Sequence, residues 1–298
     1  MPRTGLLLVV SFLALSGCHP GNAESRRVRE LCEAGDATAC HQFAGRLQTG
    51  EYVLQDESRA ATLFDRACKG GVAEGCARFG AMLERGDGVK RDSARALDLF
   101  RQGCERGSMD GCARLGVQYR DGTGVARDIA RAASLFQQAC AGGDMTGCAH
   151  LGALHTTGDG VPQDIVQAAA LFKKSCEAKV PIACVGLGRL HIAGTGVPRS
   201  AFTGAALFKQ SCTFVEKAGC FDLAKVYESG VGMPQDFEEA ADLYREACDE
   251  RNGEACARLA GLYEKGAGVS RDTARATRLR SRACDVGQTD LCVKPKAK

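Results

Sequence analysis

Sixteen of the seventeen cysteines fall into eight Cys-x7-Cys pairs. The first members are Cys32, Cys68, Cys104, Cys140, Cys176, Cys212, Cys248 and Cys284. The second are Cys40, Cys76, Cys112, Cys148, Cys184, Cys220, Cys256 and Cys292. Successive pairs lie 36 residues apart without a slip. Paired thiols can hold a metal, exchange electrons or close into staples. Zinc ligands within a pair usually stand two to four residues apart, and each repeat offers only two thiols, so no metal site is expected. A redox thiol would have to resist full oxidation, whereas structural disulfides are poorly reducible. Staples are the expected chemistry, and no cofactor is implied.

Other chemistry-bearing patterns are missing. The chain has no Ser-x-x-Lys, Lys-Thr-Gly, Gly-x-Ser-x-Gly, His-Glu-x-x-His or His-x-His-x-Asp. No catalytic residue is therefore named, and an enzyme is not the favoured reading. One column stands out instead. At the same place in successive repeats lie Leu47, Leu83, Tyr119, His155, His191, Tyr227 and Tyr263. Tyr119, His155, His191, Tyr227 and Tyr263 could line a docking strip. They could equally be packing residues, since Tyr is at home in cores and His can reach water with a polar tip. Two junction loops, Val180-Pro181-Ile182 and Phe214-Val215, are apolar where the others are polar. They would serve as a partner patch or as local packing.

The elements that carry these residues follow from periodicity. Cys76, Phe79, Gly80 and Leu83 recur at helical spacing, as do Ala96, Leu99, Phe100, Gly103 and Cys104. Between them Gly86 can end the first helix in a left-handed conformation and Asp92 can cap the second. Each repeat is thus an αα-hairpin. The turn glycine recurs as Gly50, Gly86, Gly122, Gly158, Gly194, Gly230 and Gly266. The capping Asp recurs as Asp56, Asp92, Asp128, Asp164, Asp236 and Asp272, with Ser200 in the fifth repeat. Seven hairpins result, preceded by a lone capping helix over 24–31. The last hairpin has Arg280 where the others have Phe or Tyr, as an exposed end would need.

Two disulfide frameworks fit such an array. Pairing inside a hairpin leaves Cys32 and Cys292 over. Pairing each Cys-x7-Cys consumes all sixteen, so Cys32–Cys40, Cys68–Cys76, Cys104–Cys112, Cys140–Cys148, Cys176–Cys184, Cys212–Cys220, Cys248–Cys256 and Cys284–Cys292 are expected. Each small ring stabilises by about 2–3 kcal/mol in the chain-entropy treatment.

The seventeenth cysteine explains itself differently. Arg3, the apolar run from Gly5 to Leu15 and Leu15-Ser16-Gly17-Cys18 resemble a bacterial lipoprotein signal. This implies a signal peptide at 1–17, lipidation at Cys18 and a linker at 18–24. The solenoid would occupy 25–292 and a basic tail 293–298. His19 follows the lipidated Cys, which points to the outer membrane, facing the periplasm. Such a location is oxidising, as the cysteines require. Net charge is only +3, with 39 basic and 36 acidic side chains interspersed. No basic stripe for nucleic acid appears, so no nucleic-acid partner is expected, and the membrane is met through the lipid anchor only.

The pattern Gly86-x-Gly88-Val89-x2-Asp92-x3-Ala96-x2-Leu99-Phe100-x3-Cys104 resembles the Sel-one-like repeat, a relative of the tetratricopeptide repeat. With its paired cysteines the chain looks like the Hcp-type, cysteine-rich secreted branch of that family, from Cys32 to Cys292. Tyr52 stands where a second turn glycine belongs, Gly204 where the Ala belongs and Met233 where the Val belongs. The resemblance implies an all-α, right-handed αα-hairpin solenoid that binds protein or peptide partners. It also implies an alternative, a penicillin-binding or weakly β-lactam-hydrolysing protein, with a β-lactam or a peptidoglycan fragment as ligand.

Overall fold

The computed structural model describes residues 20–214 and 218–286, and among these it contains fifteen helices and no strand. A first helix, α1 (Pro20–Glu33), is longer at both ends than the expected 24–31. Hairpins follow: α2 (Ala37–Thr49) with α3 (Glu57–Lys69), α4 (Ala73–Arg85) with α5 (Ser93–Glu105), and α6 (Met109–Asp121) with α7 (Ile129–Ala141). Next come α8 (Met145–Thr157) with α9 (Ile165–Glu177), and α10 (Pro181–Ala193) with α11 (Ala201–Cys212). The last are α12 (Cys220–Ser229) with α13 (Phe237–Asp249), and α14 (Gly253–Lys265) with α15 (Thr273–Asp285). Two compact bodies divide the chain, one up to Leu115 and one from Gly116 onward. None of the described helices is long and apolar enough to cross a membrane.

Each hairpin turn is built the same way. The first helix ends on a left-handed glycine, with φ between 70° and 86° at Gly50, Gly86, Gly122, Gly158, Gly194, Gly230 and Gly266. The capping side chain then accepts an orphan N–H of the second helix, for example Arg59 N–H to Asp56 Oδ1 at 2.9 Å. Ser200 does the same with its hydroxyl, accepting from Thr203 N–H at 3.1 Å. The second turn glycine is needed for space as well as conformation. A Cβ on Gly88 would come within 2.3 Å of the backbone at Glu57, because the turn of one hairpin lies over the start of the second helix before it. Tyr52 adopts the same left-handed conformation, with φ 59°. Its ring lies over Gly21 at the start of α1, one repeat before Glu57, and a Cβ on Gly21 would meet the ring at 2.6 Å.

The core runs between the helices of each hairpin. In the first body Phe64 and Phe100 are fully buried; in the second, Phe136, Phe172, Phe208 and Tyr244 are buried at the same place. A glycine in the first helix lets the ring approach. Phe100 lies on Gly80, Phe136 on Gly116, Phe172 on Gly152 and Phe208 on Gly188. Arg280, which replaces the ring in α15, is half-buried and forms a two-pronged ion pair with Glu264 at 2.8 and 2.9 Å.

Seven disulfides join the second helix of one hairpin, or α1, to the first helix of the next. They are Cys32–Cys40, Cys68–Cys76, Cys104–Cys112, Cys140–Cys148, Cys176–Cys184, Cys212–Cys220 and Cys248–Cys256. Their Cα atoms are 4.5–4.7 Å apart, within the range a disulfide spans. Cys284 is also disulfide-bonded. Its expected partner Cys292, the signal segment, Cys18, Val215 and the basic tail lie outside the described residues.

Candidate functional site: a groove on the first helices of the second body

The column singled out in the sequence has a backbone task. In every hairpin its carbonyl accepts the N–H of the residue capping the second helix. Asp128 N–H donates to Tyr119 O, Asp164 to His155 O, Ser200 to His191 O, Asp236 to Tyr227 O and Asp272 to Tyr263 O, at 2.8–3.0 Å. Tyr119, His155 and Tyr263 are buried; His191 and Tyr227 are half-buried. The Nδ1 atoms of His155 and His191 lie 3.0 Å from the carbonyls of Pro162 and Pro198. A carbonyl only accepts, so each ring donates from Nδ1 and ties its own turn. Arg131 stacks over Tyr119 and Arg275 over Tyr263. Of the apolar junction loops, Val180 and Phe214 pack against one core cluster with Phe172 and Leu187, and Ile182 is partly exposed.

Tyr263 borders a cavity of about 600 Å³ and His191 one of about 490 Å³. Two further cavities lie on a face of α8, α10, α12 and α14 that the repeat pattern does not mark. These, of about 580 and 570 Å³, flank Arg189 and share it. The first has an apolar floor including Ile192, Phe208, Val226 and Val231, with Asp222, Lys225, Glu228 and Arg258 around it. The second is floored by Ala149, Ala153, Phe172, Ile182 and Val185, with Arg120 and His150 at its side. None of the five column residues lines either. Glycine again sets the depth: a Cβ on Gly186 would strike the Phe172 ring at 2.6 Å.

The charged groups of the groove are held firmly. Arg189 donates through Nε and Nη2 to both oxygens of Asp222, at 3.2 and 2.8 Å. The Asp222 side chain is 7% exposed and the Arg189 side chain 62%. A buried carboxylate thus orients an exposed guanidinium. Arg258 donates to Glu228 Oε2 at 3.0 Å, and the Tyr244 hydroxyl donates to the same oxygen at 2.6 Å. Burial and the Glu228 hydrogen bond push the Tyr244 phenol far above its ordinary range. Arg120 grips Asp121 at 2.7 and 2.9 Å and reaches His150 Nδ1 at 3.1 Å. Since Arg only donates, His150 accepts there. Burial, then the Arg120 charge, pushes His150 down to about 4, so it is neutral at pH 7. The Lys225 ammonium sits 5.4 Å from the centre of the Phe221 ring.

Among the described residues the group that could gather around a metal is Cys212, Cys220 and Glu246. Its two sulfurs are bonded to each other and so offer no thiolate.

This is a disulfide-stapled αα-hairpin repeat protein with a polar-rimmed, apolar-floored groove. The Sel1 repeat profile matches residues 37–72, 73–108, 110–144, 146–180, 181–213, 217–252 and 253–287. The chain belongs to the Sel1 repeat family. Among solved structures it is similar to c5321, a protective antigen of uropathogenic Escherichia coli with an SLR fold. That likeness has 26% identity and a TM-score of 0.56, and covers 90% of this chain and 57% of that one. A Sel1 repeat protein from Oxalobacter formigenes aligns at 23% identity and a TM-score of 0.60, covering 91% of this chain and 79% of that one. Cysteine rich protein B of Helicobacter pylori aligns at 28% identity and a TM-score of 0.35, covering 44% and 93%. No curated protein matches the chain. Repeats of this kind form extended surfaces that serve contact with other proteins. The disulfides of this chain suit an oxidising setting, extracellular or periplasmic.

Proposed function

We propose that the chain is a scaffold that binds protein or peptide segments at the bacterial cell envelope, using the groove of the second body. The observation that carries this reading is the pair of apolar-floored cavities meeting at one exposed, pre-oriented Arg189. A linear segment with alternating apolar and polar side chains fits such a floor and rim. Arg3, the 5–15 apolar run and Cys18 support export and lipid anchoring, with His19 favouring the outer membrane. The paired cysteines support a place in the Hcp-type branch.

Photo-crosslinking in cells tests the scaffold. A photoreactive residue at Thr156 or Ser229, in the groove, should trap a discrete protein that one at Ser134, on the exposed side of α7, does not. Exchanging His155, His191 and Tyr227 for Ala should leave the adduct in place if the groove is the contact. Equal trapping from Ser134 and from the groove positions would remove the groove from the reading. The alternative, β-lactam binding or hydrolysis, rests on the resemblance to the Hcp-type branch alone. Turnover of a chromogenic β-lactam that persists through purification would establish it and end the scaffold-only view.

A further inference from the structure

The chemistry of the groove narrows its partner, granted the scaffold reading above. Four cations line the two cavities, Arg120, Arg189, Lys225 and Arg258, against two carboxylates, Asp222 and Glu228. The second cavity has no carboxylate in its lining. In the first, both oxygens of Asp222 accept from Arg189, and Oε2 of Glu228 accepts from Tyr244 and Arg258. Asp222 is thus not placed to take an incoming cation, and the charge of Glu228 is already paired with Arg258 at 3.0 Å.

The cations differ among themselves. Arg120 spends Nε, Nη1 and Nη2 on Asp121 and His150. Arg258 spends Nε and Nη1 on Glu254 and Glu228. Arg189 spends one N–H from Nε and one from Nη2, which leaves three of its five. It stands where the two apolar floors meet. Lys225 follows Asp222 by three residues on the same face of α12 and lines the same cavity. Arg258 keeps three N–H groups as well, but its side chain is 38% exposed against 62% for Arg189. The accessible donors therefore concentrate at Arg189 and Lys225, between two patches that would bury apolar side chains.

We infer that the groove receives an extended acidic peptide segment, in which an Asp or Glu contacts Arg189 and Lys225 and apolar residues on either side fill the two cavities. Asp222 is a positioning residue for this contact, since it acts through Arg189.

Selection from a phage-displayed library of random dodecapeptides on the immobilised, oxidised full chain tests this. Enriched peptides should carry Asp or Glu flanked by apolar residues. Their affinity, read by fluorescence anisotropy, should fall at least tenfold in Arg189→Gln with Lys225→Gln, and on raising salt from 50 to 500 mM. Lys225→Glu alone, at a half-buried surface position, should weaken the same peptides and shift a fresh selection toward Lys or Arg. Far-UV circular dichroism matching the parent shows that a variant is folded. Enrichment of peptides without acidic excess, or of acidic peptides that bind every charge variant equally, overturns the inference while leaving peptide binding intact. Displacement of the peptides by decanoate at equal affinity also overturns it, because a carboxylate on any apolar chain would then suffice. Enrichment of no peptide at all overturns the groove as a peptide site, and with it the reading on which the inference rests.

Discussion

Adding one methyl group to different helical glycines should have opposite effects, in an order set by the distances beneath them. An ideal Cβ on Gly261, within α14, meets nothing within 4 Å. Gly261→Ala should therefore show helix propensity alone, a gain of about 1 kcal/mol. On Gly116, within α6, the Cβ would lie 2.6 Å from Phe136 Cε1 and 2.9 Å from Cδ1. Phe136 is wholly buried and packs against His150 with ring centres 4.9 Å apart, so it has little room to turn away. Overfilling a packed core costs about 1–3 kcal/mol. Set against the propensity gain, Gly116→Ala should be neutral to about 2 kcal/mol less stable. On Gly152 the same contact opens to 3.1 and 3.2 Å from Phe172, which asks for a shift of only a few tenths of an ångström. Gly152→Ala should fall between the other two. Urea unfolding of the oxidised proteins, followed at 222 nm, gives the order from the midpoints. Trimming the ring with Phe136→Leu should relieve Gly116→Ala, giving a coupling of about 1 kcal/mol in the double-mutant cycle. If Gly116→Ala stabilises as much as Gly261→Ala, or the cycle is additive, the close approach of glycine and ring is not what holds these hairpins together.

Three further outcomes follow from the geometry. Replacing Cys140 and Cys148 together by Ser opens one small ring, and should cost about 2–3 kcal/mol. Hydrogen exchange should rise mainly in α7 and α8, and uniform loss of protection along the chain would contradict a nearest-neighbour array. His150 is held down to about 4 in the folded chain, against about 6.5 unfolded. Stability should accordingly be full above pH 6.5, decline as pH falls toward 4, and lose no more on this account below it. His150→Phe should flatten that limb by up to roughly 3 kcal/mol, and an NMR titration placing the ring near 6.5 would refute the assignment. Tyr244→Phe removes the hydroxyl donated to Glu228, and should cost about 1–3 kcal/mol. In the parent, ultraviolet titration should leave this phenol protonated through pH 11, and its ionisation near 10 without unfolding would count against the buried bond.

The hairpins were legible because the features that build them recur. The left-handed Gly86 and the capping Asp92 stand in nearly every repeat, and the Cys-x7-Cys pairs fall where successive hairpins meet. The groove was not, because its lining changes from repeat to repeat. One position reads Arg114, His150, Gly186, Asp222, Arg258, and another Arg120, Thr156, Ile192, Glu228, Glu264. A third, Val117, Ala153, Arg189, Lys225, Gly261, varies as much. The column from Leu47 to Tyr263 records what every hairpin needs, a carbonyl that accepts from the residue capping the second helix. The varying columns, once the helical face is known, are the signal that would have pointed to Arg189 and Asp222.

The disulfides also bear on how such a chain is made. Every described bridge joins cysteines only eight residues apart. From Cys40, the next cysteine downstream, Cys68, lies about 28 residues on. Closing the shorter loop is favoured over the longer by about 1 kcal/mol, roughly sixfold, from chain statistics. A chain entering an oxidising space N-terminus first would present Cys40 to Cys32 before Cys68 had arrived. Oxidation could then keep pace with delivery, each ring closing behind the front, with little call for an isomerase to correct mispaired bonds.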